Sequence, residues 1–194
     1  MNWRSTAHRW GVIAKAFHWL VALGIFALAG IGLYMVDMPL GMAQLRLFLL
    51  HKALGVTVLA LVVLRLLWRL IDRHPRYPAD MPRWQVGAAH ASHALLYLLL
   101  LLIPISGWVY NSASGFPLPW FGLLQLPALA PVSKPLARVA LDVHEIAFWV
   151  LAAVLLLHVT AALDHHFRHR DTVLLRMLPW RTRARATDTP GDTP

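Results

Sequence analysis

Two histidines lie fourteen residues apart on one stretch that is apolar between them except at Glu145, His144 and His158 in HEIAFWVLAAVLLLH. Fourteen residues make about four helical turns, so on a helix both imidazoles face the same way, about 21 Å apart along the axis. Fourteen is also two heptads, so the shared face persists under the slight supercoiling of a bundle. Neutral imidazole is the commonest metal ligand among side chains. Two such ligands at two depths of one helix can serve two metal centres, each of which needs a further ligand from another helix. Two more histidines sit in apolar surroundings, His18 and His51.

The medium around these side chains follows from composition. The chain has 194 residues, 58% of them hydrophobic, and a mean hydropathy of +0.56. That is too apolar for an ordinary soluble domain. Four segments reach the roughly 20 apolar residues that cross a bilayer: Phe17–Val36, Leu47–Leu70, Ala91–Tyr110 and Leu141–Leu163. They predict helices over about 10–36, 47–71, 88–110 and 140–166. The expected fold is all-α, an integral membrane four-helix bundle forming one domain over residues 1–180. The tail over 181–194, basic and then rich in Thr, Pro and Asp, is expected to be disordered on the cytoplasmic side. The first apolar segment is long, carries His18, and is followed by no small-x-small cleavage motif, so it reads as a retained helix rather than a signal peptide. Pro104 is expected to kink the third helix near Gly107. The connection from Asn111 to Ala140 is the longest and reads as a cover on the outer membrane surface. The absence of cysteine excludes disulfides, CxxCH haem attachment, iron–sulfur clusters and cysteine zinc sites.

Charge gives the four spans a direction. Fourteen of the 18 Lys and Arg residues flank one side of the four-span arrangement; only Arg46, Lys52, Lys134 and Arg138 flank the other. The positive-inside rule then puts both termini and the loop between helices 2 and 3 in the cytoplasm. The net charge of +9 is thus a topology signal at helix ends, and nucleic-acid binding is not expected.

Ionisable groups at membrane depth are costly and mark function by default; for any one histidine the competing reading is a hydrogen-bonded packing residue. Under this topology, however, His18 and His158 share the inner depth, and His51 and His144 the outer depth. The pattern suits bis-histidine ligation of two haems, with pairs His18–His158 and His51–His144. Two companions use the same fourteen-residue step. Gly32 follows His18 and would let backbone approach a flat macrocycle; simple small-residue helix packing is the alternative. Arg65 follows His51 and could pair with a propionate at the inner depth, or could be a snorkelling arginine. Lys52, beside His51, could serve the outer propionates. At the inner end, His93, His165 and His166 are candidates for a quinone-headgroup site or proton relay. With His90 and His169 they read equally well as interfacial histidines. No HExxH or comparable zinc spacing is present.

An early HWL, a histidine opening helix 2, the pair on helix 4, the run HASHALLYLLLLLIPISGW and the segment DHHFRHRDTVLLRMLP together resemble the bacterial cytochrome b561 family over about residues 8–180. The resemblance implies two b-type haems between four helices, ligated at His18, His51, His144 and His158, and electron transfer coupled to the quinone pool. Stand-alone members include a superoxide oxidase; others are cytochrome b subunits of hydrogenases and formate dehydrogenases. The expected activity is therefore superoxide:ubiquinone oxidoreduction in the bacterial inner membrane, with lipid, ubiquinone and superoxide or another periplasmic donor as partners. The alternative is a cytochrome b subunit linking a periplasmic dehydrogenase to quinone. A haem-free proton-coupled transporter is a third reading, disfavoured because the spans hold no Asp or Glu apart from Asp142 and Glu145 at the outer end of the fourth.

Overall fold

The computed structural model describes residues 2–7, 9–73, 75, 81–168, 170 and 172–178; the tail after 178 and His169 lie outside them. Four long helices carry the fold: α1 (Val12–Val36), α2 (Met42–Ile71), α3 (Arg83–Ala113) and α4 (Lys134–Phe167). The shortest has 25 residues, or about 37 Å at 1.5 Å per residue, enough for a hydrocarbon core of about 30 Å. The protein is a multi-pass membrane protein.

The helices extend past the apolar cores visible in the sequence, most of all at their starts. α4 begins at Lys134 because Ser133 caps it, accepting from the Leu136 amide at 3.4 Å, with Pro135 in the first turn. α3 runs continuously across Pro104. The long third connection accordingly shrinks to residues 114–133, and part of it is not irregular. Strands β1 (Leu118–Trp120) and β2 (Leu124–Leu126) form an antiparallel hairpin with Leu118 opposite Leu126. This hairpin lies at the end of the bundle opposite the termini. It is anchored by the Trp120 indole, which donates to Thr57 Oγ1 at 3.1 Å, and by the Trp108 indole, which donates to the Pro127 carbonyl at 3.0 Å. Asn111, buried, donates to the Phe116 carbonyl at 2.8 Å.

The bundle is two helix pairs. α1 packs along α2 and α3 along α4, and the pairs join mainly through α2 and α3. A small core of Val21, Val58, Val62, Leu99, Leu100, Ala147 and Leu151 lies at the centre. Large apolar side chains such as Leu23, Phe26, Leu70, Leu98 and Leu156 face outward, the surface a lipid environment requires.

At the termini end, the chain before α1 supplies partners for that helix's free amides. Val12 donates to the Asn2 carbonyl at 3.1 Å. Ser5 is buried; its hydroxyl donates to Asp72 Oδ2 at 2.6 Å and accepts from the Gly11 amide at 2.9 Å. Burial pushes the Asp72 carboxyl up, but hydrogen bonds from the Ser5 hydroxyl and amide outweigh it and hold the group below the usual carboxylate range. The short helix α5 (Val173–Met177) folds back on the same end. Lys15 donates to the Leu178 carbonyl at 3.1 Å and Trp19 to the Met177 carbonyl at 2.9 Å.

Candidate functional site

The half-buried histidines collect at two levels. At the hairpin end, His51 on α2 and His144 on α4 face each other with ring centroids 6.2 Å apart and planes at 73°. Two iron–nitrogen bonds of about 2 Å each, with a ring centre about 1 Å beyond each nitrogen, require centroids about 6 Å apart. The observed separation suits two imidazoles that share one metal centre. The His144 Nδ1 lies 2.8 Å from the Ile103 carbonyl. Donation there puts the ring proton on Nδ1 and leaves Nε2 with a free lone pair, the tautomer a metal ligand needs. The His51 Nδ1 is buried with no hydrogen-bond partner. Lys52 extends over the Phe116 ring, 5.3 Å from its centroid, beneath the hairpin.

At the termini end the arrangement is less tidy. His18 on α1 lies within electrostatic reach of both His158 and His93. His93 on α3, by sequence a candidate for a quinone-headgroup site or proton relay, packs edge-on against His158, with centroids 5.5 Å apart. Arg65 Nη2 is 3.1 Å from His18 Nδ1. A guanidinium only donates, so His18 Nδ1 accepts here and the neutral ring carries its proton on Nε2. Ligation through Nε2 therefore requires Arg65 to release the ring. Arg65 and Arg69 also lie over Tyr97, 5.4 and 5.7 Å from its centroid. His166 packs on Phe167 in the last turn of α4, next to His165, and its Nδ1 is buried without a partner. Among the described residues no cluster of three His, Cys, Asp or Glu side chains suits a single metal ion.

At Gly32 the nearest neighbour is an imidazole. A Cβ there would lie 3.2 Å from His51 Cε1, so this glycine receives the imidazole itself. Gly107 is its counterpart and was missed: a Cβ would lie 3.1 Å from both Cε1 and Nδ1 of His144. The signal was present in the sequence, because Gly107 follows His93 by the same fourteen residues that separate Gly32 from His18. The helix pairs thus match each other. His18 and Gly32 on α1 face Arg65 and His51 on α2, while His93 and Gly107 on α3 face His158 and His144 on α4.

Comparison with known proteins places the chain in a family. Residues 9–180 match the family described as prokaryotic cytochrome b561. Cytochrome b561 homolog 2 of Escherichia coli (strain K12) is 36% identical over 181 residues, 92% of this chain and 95% of the relative. Cytochrome b561 homolog 1 of the same organism is 32% identical over 135 residues, 68% of this chain and 74% of that protein. A protein of Yersinia pestis named probable superoxide oxidase CybB is 29% identical over 174 residues, 88% of this chain and 96% of the relative. Four membrane-length helices, paired imidazoles at membrane depth and a match along nearly the whole chain lead to one conclusion: the protein belongs to the prokaryotic cytochrome b561 family, membrane electron-transfer proteins that carry haem b.

Proposed function

We propose that this protein is a dihaem cytochrome that takes electrons from superoxide on the periplasmic side of the bacterial inner membrane and delivers them to ubiquinone. The observation that carries the reading is the opposed His51–His144 pair, spaced for one iron; the name of the Yersinia pestis relative supports the choice of donor. His51 and His144 hold one haem, and His18 and His158 the other. Bound haem iron supplies a one-electron carrier. Two superoxide anions each lose one electron to become dioxygen, and one ubiquinone takes two electrons and two protons to become ubiquinol. Arg65, on leaving His18, offers its guanidinium to a propionate at the termini end, and Lys52 offers its ammonium at the hairpin end. His93, His165 and His166 lie on the side where the quinone would take up its protons. Both termini are cytoplasmic in this reading, in keeping with the charge asymmetry.

The purified protein should bind two haems per chain and show a reduced b-type absorption band; its absence would sink the haem reading. Supplied with superoxide and a ubiquinone analogue, it should reduce the quinone faster than superoxide dismutes spontaneously. A rate no faster would favour a subunit that serves a dehydrogenase. His158→Ala should leave one haem per chain. Retention of two would make His93, its ring neighbour, the ligand at that level.

A further inference from the structure

The two hairpin-end histidines are each seated against a glycine of a neighbouring helix. The His144 Nδ1 reaches the carbonyl of Ile103, and four residues on is Gly107. Gly32 receives His51, a Cβ there lying 3.2 Å from its Cε1; the carbonyl one turn before Gly32 is that of Leu28, and the buried His51 Nδ1 makes no hydrogen bond. On an α-helix the side chain of residue i+4 lies over the carbonyl of residue i. Removing that side chain opens the flank of the carbonyl to a neighbouring helix. One lone pair of the carbonyl serves the i+4 amide, and a second remains for an outside donor. No other glycine within α1 to α4 is used this way. Gly30, Gly55 and Gly87 have open space where a Cβ would be, and Gly24 meets Val58.

We infer that Gly107 with the Ile103 carbonyl, and Gly32 with the Leu28 carbonyl, are positioning residues that turn His144 and His51 so that in the haem-loaded protein each ring donates from Nδ1 to backbone and presents Nε2 to the metal between them. The inference rests on the reading of these histidines as the two axial ligands of one haem. It gives the helix pairs a division of labour: α2 and α4 supply the imidazoles, and α1 and α3 supply the carbonyls that orient them. Ser106 adjusts the α3 notch. Its hydroxyl donates to the same Ile103 carbonyl at 2.8 Å and lies 3.5 Å from His144 Nδ1, so it competes with the imidazole for that acceptor.

A methyl group at either notch forces the ring to give by a few tenths of an ångström, which weakens or rotates its bond to the carbonyl. Nδ1–H donation raises the basicity of a ligating imidazole and favours ferric iron. In the full-length haem-loaded protein, Gly107→Ala and Gly32→Ala should each shift one of the two midpoint potentials upward and change one of two sets of low-spin electron paramagnetic resonance signals. Gly30→Ala and Gly55→Ala, which gain the same helix propensity, should change neither. Ser106→Ala frees the Ile103 carbonyl for His144 and should move one potential downward; it decides the matter for α3 if Gly107→Ala does not accumulate. Unchanged potentials and signals in the glycine variants, or in Ser106→Ala, would overturn the inference. His51→Ala and His144→Ala separate its failure from that of the ligand assignment. If each loses one haem while the glycine variants behave like the wild type, the notches alone are wrong. If both histidine variants keep two haems, the assignment falls and the notches fall with it.

Discussion

At the scale of single residues, the two levels differ in how ready they are for a metal. At the hairpin end His144 already has its proton held on Nδ1 by a backbone acceptor. At the termini end the Arg65–His18 contact imposes the opposite tautomer, so ligation there is coupled to a movement of the guanidinium. Arg65 should then act as a fixed positive charge beside the haem, stabilising the reduced state. At an effective dielectric near 20, a unit charge several ångströms away is worth about 2 kcal/mol. Arg65→Gln should therefore lower one midpoint potential by that order and leave the other in place, and Arg65→Lys should restore most of the difference; potentiometric titration of the two haems reads this directly. Histidines within the spans are conspicuous in the sequence because ionisable groups stand out against an apolar background. The His93–His158 contact is not, because a residue's depth can be counted along one helix while its lateral neighbour depends on how the helices are rotated.

At the scale of elements, the ends of the helices carry the specific interactions, as expected where the middle is apolar on every side. The segment before α1 is latched by Ser5 to Asp72 at the end of α2. It passes so close to Gly11 that a Cβ there would lie 2.5 Å from the Trp3 carbonyl oxygen. Ser5→Ala removes a hydrogen bond to a charged group, worth about 2 kcal/mol, and should expose the segment to proteolysis in detergent before the helices unfold. The latch also sets a pH dependence. The folded Asp72 carboxyl ionises more readily than in the unfolded chain. Its stabilisation is therefore complete above about pH 4, the unfolded value, and is lost as pH falls through the lower folded one. The same proteolysis assay should show the segment released in acid in the wild type, with a smaller change in Asp72→Asn. None of this was visible in the sequence, where Ser5 and Asp72 are 67 residues apart and neither belongs to a motif. The β hairpin was missed for a related reason: residues 114–133 are crowded with proline and aromatics, and their pairing depends on the Thr57 and Trp108 anchors.

At the scale of the whole molecule, the arrangement is a pair of helix pairs with a level of neighbouring histidines near each end. The proposed orientation follows from fourteen basic residues on one side against four on the other. A fluorescent protein fused to the C-terminus should fold and fluoresce, while alkaline phosphatase fused there should be inactive; the reverse pattern would invert the proposed direction of electron flow. The sequence by itself determined the membrane class, the number of spans, the candidate ligands and their depths. Each of these is a property of one helix, set by hydropathy, by charge at its ends and by the 3.6-residue turn. Tertiary structure decided which imidazoles meet, that Gly32 and Gly107 receive a histidine ring, that Arg65 holds His18, and how the chain closes over both ends. These depend on the rotation and spacing of helices relative to one another. That packing is fixed by many small contacts between residues distant in sequence, and no single spacing encodes it.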